Sequence, residues 1–277
     1  MESAIYIVAT PIGNMRDITR RAIDVLSEVD FIAAEDTRMS RRLLEQLDID
    51  TPMVSLHEHN ERQKSQILID KVSAGGSMAL ISDAGTPLIS DPGYFLVKQA
   101  KASGVRCIPV PGACALVAAL SVSGLSSARF SFEGFLPHKT GAKKAELERL
   151  ISETRTMIFY ESPHRILETL RLCAELFADR QMALAREITK RFETYLTGPV
   201  NEVLSIVESD LMQQKGEFVL MIEGGAQLKP SSLSDSQRTL LKSLLQELPP
   251  KKAAALIADY TGINKREVYN EAVALRQ

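Results

Sequence analysis

The alternation of two apolar periods along residues 1–122 constrains this chain more than any other feature. A β-branched apolar run at 4–10 suits a buried strand, and short apolar runs at 31–34, 52–56, 78–82 and 105–110 suit further strands. Between them the apolar residues fall at helical spacing. Ile18, Ala22, Val25, Leu26 and Val29 form one set, Leu43, Leu44 and Leu47 a second, and Ile67, Ile69 and Val72 a third that Gly75-Gly76 stops. Helices are also expected over 94–102 and 113–122. A βαβα order predicts a mostly parallel sheet with helices on both faces, and such sheets bind ligands outside the carboxyl ends of their strands.

Residues 124–129 read as a linker into a second α/β unit. Its strands are expected over 130–136, 156–160, 182–186, 192–197 and 218–223, and its helices over 142–152, 164–177 and 200–212. No helical segment separates the strands at Met182 and Phe192, so a hairpin and a mixed sheet are expected. The Gly-, Ser- and Pro-rich stretch 224–235 reads as a hinge. Leu240, Leu241, Leu244 and Leu245 then mark a helix that Pro249-Pro250 stops. A small-residue helix, a turn at Gly262 and a last helix opening on Lys265 and Arg266 have a helix-turn-helix layout. The expected fold class is therefore α/β: domains over 1–123 and 124–224 with a cleft between them, and a helical module over 235–277.

A chain of 277 residues with 45% hydrophobic and 25% charged side chains is ordinary for a globular protein, which excludes wholesale disorder. The net charge of -2 gives no global sign of a polyanion partner, but eight basic and five acidic residues fall from Gly224 onward. Cys107, Cys114 and Cys173 form no metal-ligand pattern and read as core residues in a reducing compartment. No leader pattern or membrane-length apolar run occurs, so the expectation is a cytoplasmic protein without a membrane partner.

The strand ends carry the chemistry. S-D-A-G-T-P-L-I-S-D-P-G over 82–93 follows a strand, with Gly85 permitting close backbone approach and Asp83 able to accept hydrogen bonds. Asp91-Pro92 reads as the cap and first residue of the next helix. P-V-P-G-A-C over 109–114 is a second such loop, or simply a tight turn. No G-x-G-x-x-G follows the first strand and no G-x-x-x-x-G-K-[ST] occurs, so dinucleotide and triphosphate cradles are unsupported. E-D-T-R over 35–38 offers Arg38 for a phosphate and Asp36 or Glu35 to orient a hydroxyl or act as base; an Asp–Arg pair capping a helix would look the same. H-E-H-N over 57–60 lacks a third ligand, so no metal site is expected and His57 remains a candidate substrate contact. Tyr160, Glu161 and Arg165 end one second-domain strand, and Arg186, Lys190 and Arg191 follow another. With Lys139, Lys143 and Lys144 these basic residues would form a phosphate track if they face one cleft; otherwise they are solvated charges.

Taken together, A-T-P-I-G-N, A-A-E-D-T-R, L-H-E-H-N, S-D-A-G-T-P-L-I-S-D-P-G-Y, P-V-P-G-A-C-A, E-G-F-L-P, F-Y-E-S-P-H-R, R-E-I-T-K and K-G-E-F-V-L resemble the ribosomal RNA small-subunit methyltransferase I family, a branch of the tetrapyrrole methylases. The resemblance runs in order over nearly the whole chain. It implies S-adenosylmethionine in a cleft between two α/β domains, a 2′-O-methylated cytidine of 16S rRNA as product, and a homodimer. The substrate would be free 16S rRNA or the assembled small ribosomal subunit. It implies cofactor contacts from Ile12 and Gly13, from Asp83, Ala84, Gly85, Thr86 and Leu88, from Pro111, Gly112, Ala113 and Cys114, and from Tyr160 and Arg186. The trailing helices, with Lys265 and Arg266, resemble an RNA-facing appendage.

Ring-modifying relatives carry a Gly-rich loop after the first strand, where this chain reads Thr10-Pro11-Ile12-Gly13-Asn14. That departure argues against a tetrapyrrole substrate, which stays as an alternative on the same fold. A DNA-binding regulator built on the tail helices is the non-enzymatic alternative. For the chemistry, Asp36 or Glu161 is expected to take the hydroxyl proton while Arg38 fixes the flanking phosphate.

Overall fold

The computed structural model describes residues 1–226 and 233–275. Residues 227–232 of the expected hinge, and the last two of the chain, lie outside the described residues. Met1–Gly225 forms one compact unit and the tail a second.

Within the first unit, strands β1 (Ile5–Val8), β2 (Phe31–Ala34), β3 (Met53–Ser55), β4 (Met78–Ile81) and β5 (Cys107–Val110) alternate with helices α1 (Arg20–Glu28), α2 (Thr37–Gln46), α3 (Glu61–Ser73) and α4 (Tyr94–Ala102). The strands make one parallel sheet in the order β3-β2-β4-β1-β5. Side chains two apart share a face. Tyr6 and Val8, Ile32 and Ala34, and Ala79 and Ile81 therefore meet α1 and α2 through Val25, Leu26 and Leu44. Ile5, Phe31, Ala33, Met78 and Leu80 face the other way, onto Leu68 and Ile69 of α3 and Leu96 of α4. Caps set the helix starts: Thr19 Oγ1 accepts from the Ala22 amide at 3.1 Å, and the Asp36 carboxylate accepts from the Arg38 amide at 2.8 Å.

Helix α5 (Ala115–Val122) leads to β6 (Phe130–Phe135), α6 (Thr140–Arg149), β7 (Thr156–Glu161), α7 (Ile166–Leu176), β8 (Gln181–Arg186), β9 (Thr194–Pro199), α8 (Val200–Ser209) and β10 (Phe218–Ile222). The second sheet has the order β6-β7-β10-β8-β9 and is mixed: β6 runs parallel to β7, and the other pairs are antiparallel. The expected hairpin is the β8–β9 pair, although β9 starts at Thr194 rather than at Phe192. Helix α8 ends earlier than its apolar period predicts, because Asp210 at φ -127° opens a separate 3-10 turn, Leu211–Gln214.

The two sheets are joined through α5. Leu116, Ala119 and Leu120 of this helix pack on Ile158, Ala183, Val219 and Met221, which form one face of the second sheet. The alternate residues Met157, Phe159, Leu184 and Leu220 face α7 and α8. In sequence α5 continues the first βα series, but its buried face belongs to the second core.

The tail unit consists of α9 (Asp235–Glu247), α10 (Pro250–Thr261) and α11 (Lys265–Ala274). Ser234 and Gln237 form a capping box, Pro250 occupies the first turn of α10, and Gly262 takes φ 71° at its end. Leu241, Ala253, Ala254, Ile257 and Val268 make this unit's own core. No described helix is long and apolar enough to cross a membrane.

Candidate functional site

The strand ends of the first sheet are tied to one another before they meet the second. The Thr10 amide donates to the Gly85 carbonyl at 2.8 Å and the Gly85 amide returns a bond to Thr10 at 3.1 Å. Thr86 Oγ1 donates to the Ala113 carbonyl at 3.0 Å, which joins the loop after β4 to the loop after β5. The loop after β4 is tightly coiled, with positive φ at Gly85 (84°), Leu88 (72°), Ser90 (66°) and Gly93 (123°). The two non-glycine positions cost about 1 kcal/mol or more each, and such strain survives only where the surroundings enforce it. Here they do: a Cβ on Gly93 would lie 2.7 Å from Leu80 Cδ2 and 3.0 Å from Leu88 Cδ1.

Between this loop cluster and the second sheet lies a cavity of about 410 Å³, within the size range of small-molecule sites. Ile12, Glu35, Asp83, Gly85 and Asp91 line it from the first sheet, and Phe135, Tyr160, Ile188 and Phe218 from the second. Tyr160 lies edge-on to Phe132 and Phe135, with centroids at 4.9 and 5.7 Å. Its hydroxyl accepts from the Leu116 amide at 3.2 Å, so a second-sheet side chain caps the first turn of α5. Burial, followed by the Cys114 thiol, pushes the Tyr160 hydroxyl up to about 12, so it is a neutral donor at any ordinary pH.

Electrostatically this wall is acidic. Burial pushes Glu35 up to about 7, the negative charges of Asp83 and Asp91 add to the shift, and the Asp83 backbone amide offsets part of it. Asp91 is also raised, first by burial and then by Asp83, against a hydrogen bond from Ser82. The cations nearby are already committed. Lys190 Nζ bonds Glu187 at 2.9 Å and Glu217 at 2.7 Å. Arg165 Nη2 bonds the Leu136 carbonyl at 2.5 Å and Glu161 at 3.2 Å.

Of the expected cofactor contacts, Ile12, Asp83, Ala84, Gly85, Thr86, Cys114 and Tyr160 line the cavity. The others do not. Gly13 lies against Lys190, whose Cγ would be 2.5 Å from a Cβ at that position. The Leu88 side chain packs into the core of the first sheet. Gly112 is pressed on Ala9, Ala113 contributes only its carbonyl to Thr86, and Pro111 lies off the cavity wall. Arg186 is buried and donates to the carbonyls of Lys215 (2.6 Å) and Phe192 (2.8 Å), so it ties loops of the second sheet together.

The two expected proton acceptors have other partners. Asp36 caps α2 and holds Arg38 Nη2 at 3.1 Å, as the ion-pair alternative has it, and its carboxylate does not line the cavity. Glu161 lines the cavity, but its oxygens accept from the Ser162 amide (2.8 Å), Thr169 Oγ1 (2.7 Å) and Arg165.

The expected phosphate track also divides. Arg38 and Lys139 are exposed, and Arg191 is exposed over the Phe192 ring. Lys143 is fully buried and pairs with Glu168 at 2.5 Å, so it cannot meet RNA: it sits on the inward face of helix α6. Lys144 pairs with Glu175, and Arg165 and Lys190 are bound internally. The ring nitrogen Nε2 of His57 lies 2.9 Å from Asn60 Nδ2. Lys265 and Arg266 are exposed on the first turn of α11 in the tail unit. No cluster of three metal-ligating side chains occurs among the described residues.

Sequence reasoning missed Ser90, Asp91, Phe135, Ser162, Pro163, Ile188 and the segment 217–219 as lining residues. Asp91 was expected to cap a helix, but Gly93 is the residue before α4. A signal for the others was present, because E-G-F-L-P, F-Y-E-S-P-H-R, R-E-I-T-K and K-G-E-F-V-L contain most of them.

The chain matches the family model Tetrapyrrole (Corrin/Porphyrin) Methylases over residues 4–204 and the RsmI C-terminal HTH domain over 231–276. It is 50% identical to the Ribosomal RNA small subunit methyltransferase I of Vibrio cholerae, covering 96% of this chain and 92% of that one. The protein of the same name from Pseudomonas aeruginosa is 50% identical, with 97% and 96% covered, and that from Escherichia coli O157:H7 is 48% identical, with 98% and 95% covered. Solved structures share the fold at low identity. Diphthine synthase gives a TM-score of 0.58 at 13% identity, covering 79% of this chain and 90% of that one. A Thermus thermophilus uroporphyrin-III C-methyltransferase complexed with S-adenosyl homocysteine gives 0.55 at 15%, covering 79% and 97%. With two sheets, a cavity between their loops and half of its residues shared with these relatives, the chain belongs to the ribosomal RNA small subunit methyltransferase I family of the tetrapyrrole methylases.

Proposed function

We propose that this protein transfers a methyl group from S-adenosylmethionine to the 2′-hydroxyl of a cytidine ribose in 16S rRNA, free or in the assembled small subunit. The same reading makes it a cytoplasmic homodimer. The observation that carries it is the acidic wall of a cavity beside which Lys190 and Arg165 are already paired. Such a wall attracts a cation and repels phosphates, which fits a sulfonium-bearing amino acid nucleoside and not a dinucleotide or triphosphate. The names of the relatives support the RNA substrate.

The residues present fit that donor. Asp83 offers a carboxylate, Ala84, Gly85 and Thr86 bring backbone close, and Phe135, Tyr160 and Phe218 supply flat apolar surface. When bound, the donor supplies an already activated methyl group, so alignment is the main demand on the protein. The ribose hydroxyl still needs a proton acceptor. Asp36 and Glu161 are committed to Arg38 and to Thr169 and Arg165, which leaves Glu35, weighed beside Asp36 on sequence alone, as the acceptor in this reading. A carboxylate poised at about 7 is well matched to that task, and the Glu35 carboxyl would hold the proton until solvent takes it.

The test is mass-spectrometric mapping of ribose methylation on small-subunit RNA from cells with and without the protein. Loss of one 2′-O-methylcytidine is expected in its absence. Wild type should restore it and Glu35→Gln should restore it far more slowly. Identical ribose maps with and without the protein would end this reading.

A further inference from the structure

An acidic cavity cannot hold the phosphates of an RNA strand, so they must be bound outside it, at its mouth. One surface there carries six arginines beside the carboxylates Asp17, Asp24 and Glu45. Arg16 lies in the turn before α1, Arg20 and Arg21 open α1, and Arg38, Arg41 and Arg42 lie in the first two turns of α2; all six are exposed. The topology brings them together. Helices α1 and α2 cover the same face of the first sheet, through Ala22, Val25, Leu26 and Leu44. Each helix starts from the carboxyl end of its strand, β1 or β2. The loops at those strand ends also provide Ile12 and Glu35 to the cavity, so both groups of arginines follow within a few residues of its lining.

Two physical features leave these arginines open to an anion, as Arg62, Arg129, Arg191 and Arg266 also are among the described residues by the first of them. Elsewhere in the chain Arg106, Arg149, Arg155, Arg165, Arg171 and Arg238 each hold a carboxylate. Among the described residues, Arg16, Arg20, Arg21, Arg41 and Arg42 form no such pair, and Arg38 keeps nine-tenths of its side chain in solvent beside Asp36. Arg20 and Arg21 of α1 and Arg38 of α2 also oppose the helix dipole, which disfavours cations in a first turn and favours anions. Free guanidinium groups held against the N-terminus of α1 lower the stability of the protein alone and are offset when phosphates dock among them.

We propose that this arginine face of α1 and α2 binds the phosphates that flank the target nucleotide and guides the strand into the cavity. The proposal rests on the RNA reading above. It assigns a surface to the backbone, whereas the cavity takes the splayed nucleotide.

The experiment uses the full-length protein as Arg20→Gln/Arg21→Gln, as Arg41→Gln/Arg42→Gln and as all four together. Lys98→Gln/Lys101→Gln on α4, over the opposite face of the sheet, matches each pair in charge. The probe is a single-stranded fragment of small-subunit rRNA, titrated over a salt series, with melting temperature and donor calorimetry as controls. Each arginine pair should weaken RNA binding several-fold and flatten the slope of log K against log salt by about 1.4, or about 0.7 per lost phosphate contact. The α4 pair should change neither. Melting temperature should hold or rise for the Arg20/Arg21 pair, which opposes the α1 dipole, and should hold for the Arg41/Arg42 pair; a merely structural role would lower it. Unchanged RNA affinity and slope in the four-fold variant would overturn the proposal, as would equal losses in the α4 control. Intact RNA binding with lost binding to polyglutamate would overturn it in favour of an acidic protein partner. If wild type binds the fragment through these arginines but methylates nothing, the surface stands and the catalytic reading fails. If the four-fold variant binds and methylates like wild type, the reading stands and the surface fails.

Discussion

Tyr160 of the second sheet caps a helix of the first βα series: its hydroxyl accepts the Leu116 amide of α5 at 3.2 Å. One hydrogen bond thus links the floor of the cavity to the segment that joins the two sheets. Tyr160→Phe keeps the ring against Phe132 and Phe135 and removes only the acceptor. The Leu116 amide then lacks its partner, which costs about 1 kcal/mol. In a unit of this size the melting temperature should fall by about 2–4 °C. Donor affinity measured by calorimetry should also fall, since α5 begins at the cavity. Unchanged melting and affinity would show that water replaces the phenol without loss.

Gly13 and Lys190 form a second link between the halves. Gly13 has φ 150°, and a Cβ there would lie 2.5 Å from Lys190 Cγ and 3.0 Å from Thr189 Oγ1. The lysine cannot simply swing aside, because Glu187 and Glu217 hold its ammonium. Gly13→Ala should therefore destabilise by about 1–3 kcal/mol. Adding Lys190→Ala should recover part of that loss, leaving the backbone strain and the contact with Thr189 Oγ1. A double-mutant cycle by urea denaturation measures the coupling, and strictly additive effects would refute the contact.

Glu35 gives opposite pH trends for activity and stability. Its folded value of about 7 lies above the ordinary 4.5 of a glutamate. The protonated form is favoured in the fold, so this contribution is fully present below about pH 4.5 and is lost as pH rises towards 7. Glu35→Gln removes that loss. Its melting temperature relative to wild type should rise between pH 5 and pH 8, following the 4.5-to-7 window. Methyl transfer by wild type should instead increase through about pH 7 as the carboxylate forms, a limb absent from a variant slowed about 100-fold or more. A flat wild-type rate profile across that range would remove Glu35 as the acceptor.

Lys143 separates structure from RNA binding. Its side chain is fully buried, with its ammonium on the half-exposed Glu168. Because Glu168 can be solvated when left alone, the ion pair itself contributes little and the stem's packing contributes more. Lys143→Met should change stability by less than about 1 kcal/mol, whereas Lys143→Ala should lose about 2 kcal/mol. Neither should alter RNA affinity at matched folded concentration. A loss of RNA affinity in the stable Met variant would show that the ammonium reaches solvent after all.

Apolar periodicity by itself determined the architecture. The runs around Ile5, Ile32, Ala79 and Ile108 specify a parallel sheet, the missing helix between Met182 and Phe192 specifies the hairpin, and Gly- and Pro-bearing turns mark the loops that make the cavity. These features are local, and local spacing encodes them. Only the tertiary structure decided which charges face the cavity. Glu161 meets Thr169 and Arg165, Arg186 meets the Lys215 carbonyl and Lys143 meets Glu168 through contacts 4 to 29 residues apart. Such pairs depend on how helices and loops pack, so a carboxylate or cation free to act looks the same in sequence as one already bound. The sheet that α5 covers was hidden for the same reason. Its apolar residues say that it is buried, but only the fold shows that Leu116 and Leu120 lie on β7 and β10 rather than on the strands that precede them.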